Sequence, residues 1–148
     1  MAIVADAVAG EALLARLGVE FYVPEASARA AIRSHESFNA IPTDSAMKVD
    51  LFPLGQGLLD RRQIERRVGR TLPSGRVVWV TSPEDVVLRK LDWYQQGGQR
   101  SDRQWNDVVG VLRVTSERMD LDDLLTAALT LGLDDLLDSA LVEADVQR

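Results

Sequence analysis

Hydrophobic and polar positions along the chain alternate between short β-branched or aromatic runs and longer stretches of helical period. The run Val77, Val78, Trp79, Val80 has strand length. Ser82-Pro83-Glu84-Asp85 follows as a helix start, with Ser82 as N-cap, Pro83 at the first helical position and two acids at the positive end of the dipole. That helix is predicted to about Gln96, with Val86, Val87, Leu91, Trp93 and Tyr94 on its apolar face and Lys90 in the middle of it. Gly97-Gly98 breaks the helix and Ser101 or Asp102 caps the next, whose inward stripe is Trp105, Val108, Val109 and Leu112.

Upstream, Ala2 to Ala5 reads as a short strand and about Ala9 to Leu17 as a helix ended by Gly18, with Leu13, Leu14 and Leu17 inward. Val19 to Val23 is a second strand, and Pro24 opens a helix through about His35 with Ala28, Ala31 and Ile32 inside. Ser37 to Ile41 and Ala46 to Phe52 form a hairpin around Pro42-Thr43-Asp44-Ser45. In its second strand Met47, Val49 and Leu51 share one face, while Lys48, Asp50 and Phe52 share the other. A helix from about Gly57 to Val68 packs through Leu58, Leu59, Ile64 and Val68, and Pro73-Ser74-Gly75 turns the chain into the Val77 strand. Two near-repeats, LDDLLTAAL at 121 to 129 and LDDLLDSAL at 133 to 141, are hinged at Gly132 and read as a structural cap. The predicted class is α/β (α+β): a small mixed sheet flanked by helices, with a C-terminal helical cap. Residues 1–81 form the α/β core and 82–148 the helical part of one compact domain.

A chain of 148 residues with 46% hydrophobic content is long enough for one sizeable core. No apolar run reaches membrane-spanning length, and no signal-peptide pattern opens the sequence, so a cytoplasmic protein is expected. Without cysteine, and with His35 as the only histidine, thiolate chemistry, a zinc site and a Ser-His-Asp triad are disfavoured. His35, near a helix C-terminus, reads as a structural or surface residue.

The net charge of −6 argues against indiscriminate nucleic-acid binding. The charge is unevenly spread: Arg61, Arg62, Arg66, Arg67, Arg70 and Arg76 crowd one region, while the segment after Ser116 is strongly acidic. The arginines read either as a solvated helix face or as a landing surface for a phosphate-bearing substrate. Lys90 has two readings as well. It snorkels or pairs with a core acid, or it is presented to a phosphate or carboxylate across a cleft. Asp107, on the far side of its stripe, reads as a solvated acid, and Lys48 with Asp50 as a surface pair on a half-exposed strand face.

No phosphate-cradling glycine loop is present. The order KVDLF at 48 to 52, SPEDVVLRKLDWY at 82 to 94 and RQWNDVVGVL at 103 to 112 resembles the nucleotidyltransferase-like proteins related to AbiEii-type toxins, over nearly the whole chain. The resemblance implies a mixed sheet holding three carboxylates that bind magnesium ions and support nucleotidyl transfer from a nucleoside triphosphate. It implies Asp50 as the third carboxylate and metal ligand, Lys90 and Lys48 as phosphate contacts, and Asp107 as the acid of the next helix. An RNA or protein acceptor would meet Arg61, Arg62, Arg66, Arg67 and Arg70.

The chain departs from that pattern at its front. The Gly-Ser motif is absent, Ala2 stands where the second aspartate of the D-x-D pair belongs, and Asp6 lies beyond it. One carboxylate does not hold two magnesium ions, so a catalytically incomplete protein is expected. It would be a degenerate member used for binding, a product with a missing front, or a subunit completed by a partner chain or by self-association. A non-catalytic protein-interaction domain, with Asp50 and Lys90 in internal salt bridges, is the alternative.

Overall fold

A computed structural model of the chain describes residues 2–3, 7–45 and 47–147. The fold is α+β and divides into two compact units, Met1–Arg61 and Arg62–Arg148.

The first unit carries β1 (Ala2–Ile3), α1 (Ala7–Glu20), β2 (Phe21–Tyr22), α2 (Glu25–Ser34), β3 (Phe38–Pro42) and β4 (Val49–Pro53). Its sheet is ordered β1-β4-β3-β2, with β1 parallel to β4 and the other pairs antiparallel. Alternation along β3 and β4 sends Phe38, Ala40, Val49 and Leu51 to one face, where Leu14 of α1 and Ala28, Ala31 and Ile32 of α2 pack on them. Glu11 of α1 ties the two helices by accepting from Arg29 of α2 at 2.8 Å. The opposite face carries Asn39 and Ile41 of β3 with Asp50 and Phe52 of β4, and Asn39 and Asp50 lie directly across from one another.

Gly18 does not end the first helix. Nothing crowds that position, and α1 runs on to Glu20 before passing directly into β2. The strand predicted from Val19 is accordingly reduced to Phe21–Tyr22. His35 is exposed and closes α2 in a left-handed conformation, with φ 55°. Val4, Ala5, Asp6 and Ala46 lie outside the described residues.

Helix α3 (Leu58–Glu65) contains the division and stops three residues short of the predicted Val68. Val68 instead begins β5 (Val68–Thr71), which pairs with β6 (Val77–Val80) in a separate antiparallel hairpin. The second unit continues with α4 (Pro83–Gln96), α5 (Asp102–Thr115), a 3-10 turn at Ser116–Arg118, α6 (Leu121–Leu131) and α7 (Asp134–Glu143). Helix α4 packs on α5 and α6, and α7 packs on α5 and α6, around Leu88, Leu91, Val108, Leu112, Leu124, Leu137 and Leu141. These side chains are 0–2% exposed, so the apolar interior of this unit is leucine-dominated. Gly132 takes φ +65° at the end of α6, the left-handed cap that lets the chain reverse into α7.

Val87 and Leu91 of the expected α4 face are buried, but Glu84, Asp85 and Leu88 complete the buried stripe in place of Val86, Trp93 and Tyr94. Trp93 is 38% exposed, and Tyr94 faces Trp105 with ring centroids 5.2 Å apart. Counting apolar letters centred the stripe one step too far round the helix, because two acids occupy inward positions.

Candidate functional site

Each carboxylate and cation singled out from sequence belongs to a definite local setting. In the first unit, Asp50 projects from β4 on the sheet face away from α1 and α2, beside Asn39. Lys48, just before the strand, brings its Nζ to 3.7 Å from Asp50 Oδ1, and both side chains are more than half exposed. A pair this open and this long contributes little to stability. Its ammonium and its neighbouring amide are within reach of an incoming anion.

In the second unit, Lys90 donates to Asp107 Oδ2 at 2.7 Å and to Gln104 Oε1 at 3.4 Å, joining α4 to α5. Asp107 stays open to solvent, with its side chain 44% exposed, but is also paired. Its helix turns it toward α4, and the hydrogen bond from Lys90, with the ammonium charge behind it, holds the carboxyl below its ordinary pKa. Lys90 is 22% exposed and sits at the edge of the true α4 stripe, which suits a stem lying on apolar surface with the charge led outward to a partner.

The arginine group does not act as one surface. Arg62 Nε donates to Asp85 Oδ1 at 2.7 Å, and its Nη1 and Nη2 fork onto the two oxygens of Asp123 at 3.2 and 2.6 Å. Arg66 Nη2 also meets Asp123 Oδ2, at 2.9 Å. The bidentate contact to Asp123 and the second contact to Asp85 raise the Arg62 guanidinium well above its ordinary value despite burial, and they lower Asp123. Arg62 and Arg66 are thereby withdrawn from any landing surface. Arg67 remains outside and lies over the exposed Trp79 ring, 5.0 Å from its centroid, with Arg61, Arg70 and Arg76 also exposed.

Sequence marks Asp85 and Glu84 only as dipole acids, whereas both are buried. Asp85 is fully buried; its N–H donates to Ser82 Oγ, and the Ser82 hydroxyl in turn donates to Asp85 Oδ2. Glu84, 6% exposed, accepts the backbone N–H of Asp120 at 2.9 Å and so holds the start of α6. The signal that marks them is positional. Glu84 falls one helical turn before Val87 and Leu88, and Asp85 one turn before Leu88, so both acids point at the core side.

The magnesium chemistry implied by the family resemblance needs several hard oxygen ligands converging on one place. Among the described residues no three His, Asp, Glu or Cys side chains converge in that way. Asp50 has for neighbours an amide and an ammonium, and a cation beside a carboxylate repels a metal ion. The described residues therefore do not fit a pair of magnesium ions.

No protein-family model, curated protein or solved structure matches the chain.

Proposed function

We propose that this chain is a nucleotidyltransferase-fold protein of the AbiEii-related kind that works by binding a phosphate-bearing ligand, a nucleoside triphosphate foremost, without transferring a nucleotidyl group. The supporting observation is the open face of β3 and β4, where Lys48, Asn39 and Asp50 lie together in the first unit. An ammonium supplies charge for a phosphate, and the amide supplies a directional donor. The exposed aromatic and aliphatic residues of the same face, Tyr22 and Ile41, offer apolar surface to a base or sugar. Lys90 takes part in this reading only by exchanging Asp107 for a phosphate oxygen.

Calorimetric titration with each nucleoside triphosphate, with and without magnesium, tests the proposal. The expected result is binding that survives chelation of magnesium and weakens in Lys48→Ala, with no release of pyrophosphate. Absence of heat at millimolar nucleotide, or magnesium-dependent pyrophosphate release, overturns it.

A second reading, a protein-interaction module derived from the same fold, draws support from the second unit. There Lys90, Arg62 and Arg66 are each committed to internal carboxylates. Under that reading Lys48→Ala changes no nucleotide affinity and the exposed hairpin carries the contact.

A further inference from the structure

The β5–β6 hairpin presents an unusual surface. Its register places Gly69 opposite Trp79 and Thr71 opposite Val77, so these four residues share one face. Trp79 is 62% exposed, Val77 57% and Leu72 42%. The indole is spread across Gly69, where a Cβ would meet the ring at 3.4 Å, and the Arg67 guanidinium lies over the ring, 5.0 Å from its centroid. From Arg66 to Pro83 the chain contains Arg66, Arg67, Arg70 and Arg76 and no acid. A two-stranded hairpin with a large exposed aromatic and free edges is marginal in water without a cover.

The same unit carries the opposite kind of surface. Between Arg118 and Arg148 there is no basic residue, and α7 itself carries Asp134, Asp135, Asp138 and Glu143. Arg113 of α5 reaches only its C-terminal end, donating to the Glu143 carbonyl at 2.8 Å, where Glu143 also accepts from Trp105. On the outer side of that helix Asp135, Ser139 and Val142 recur at helical spacing, and Val142 is 82% exposed. One polypeptide therefore carries both an apolar point in an acidic setting and an apolar, aromatic point in a basic one.

We propose that the hairpin face of one molecule docks on the outer face of α7 of a second copy of this chain, head to tail. Charge complementarity selects this occupant. Two hairpins facing each other would bring Arg67, Arg70 and Arg76 against their own kind, whereas hairpin against α7 opposes arginine with aspartate around a core of Trp79, Val77 and Val142. The contact is heterologous, so each molecule retains one unused surface of each type at the ends of an assembly unless a ring closes.

Sedimentation velocity of the full chain over a range of concentrations tests this, with two sets of variants. Arg70→Ser with Arg76→Ser disables the hairpin without creating a charge that would attract the second variant, and Asp135→Lys with Val142→Lys disables α7; all four positions are exposed, and circular dichroism checks that each variant is folded. The wild type is expected to associate with rising concentration and to dissociate in 1 M salt, where screening acts within about 3 Å. Each double variant alone is expected to be monomeric, and an equimolar mixture of the two is expected to form a dimer that grows no further, because it restores one intact contact. Trp79→Ser, which leaves every charge in place, is expected to weaken wild-type association. A wild type that stays monomeric, variants that assemble like the wild type, or a mixture that stays monomeric overturns the proposal. A monomer that binds an acidic peptide or single-stranded RNA through Trp79 assigns the hairpin to that partner instead.

Discussion

Arg62 and Asp85, distant in sequence, meet at 2.7 Å in the second unit with side chains only 12% and 0% exposed. The guanidinium of Arg62 also forks onto Asp123, so one arginine ties the end of α3 to the first turns of α4 and α6. Removing one member of a buried pair costs about 3–5 kcal/mol when the other charge is left without compensation, and Arg66, 2.9 Å from Asp123 and 3.7 Å from Asp85, places the loss toward the lower end of that range. Arg62→Ala is predicted to lower unfolding stability by about that amount, read from urea denaturation at neutral pH. A loss under about 1 kcal/mol would mean the network is dispensable.

The pH dependence follows from Asp123. Hydrogen bonding from Arg62 lowers its folded pKa below the unfolded value of about 3.9, so its stabilisation is complete above that pH and is lost as pH falls through the folded value. The urea midpoint is predicted to drop below about pH 4, and Asp123→Asn is predicted to start lower at neutral pH and to show a shallower acid decline. An acid decline identical in wild type and variant would contradict the assignment.

Lys90 and Asp107 form an equally short but more open pair, at 2.7 Å and with side chains 22% and 44% exposed. A double-mutant cycle of Lys90→Ala and Asp107→Ala is predicted to give a coupling of about 1 kcal/mol or less, in contrast to the Arg62 network. A ligand role for Lys90 would appear as a change in nucleotide affinity in Lys90→Ala beyond that found in Asp107→Ala.

Asp50 offers a test whose sign separates binding from metal chemistry. In the absence of magnesium, Asp50→Asn removes a negative charge 3.7 Å from Lys48 and is predicted to tighten triphosphate binding, with stability changed by about 0.5 kcal/mol or less. Weaker magnesium-free binding in this variant would argue against Lys48 as the phosphate contact.

Gly132 caps α6 at φ +65°, with open space around the position of a Cβ. The cost of Gly132→Ala is therefore conformational alone, predicted at about 1 kcal/mol, and thermal unfolding of the variant measures it directly.

Local signals were sufficient for much of the second unit. Ser82 and Pro83 start α4, Ser101 starts α5 and Gly132 separates α6 from α7, because caps and left-handed stops act within a few residues. Alternation alone also separated Leu51 from Asp50 on the two faces of β4. Other outcomes depended on partners far along the chain. Asp85 is buried because Arg62, 23 residues earlier, reaches it, and Arg62 is oriented by Asp123, 61 residues later. Val68 leaves the predicted helix because Val80 offers a strand partner, and Asp107 gains an ion-pair partner because Lys90 is on the neighbouring helix. Periodicity and capping located most elements, while the ends of α1 and α3 were set by the strands that follow them. Which acid meets which cation was settled only when packing brought those elements together, since the free energy of burying a charge depends on its neighbours in space.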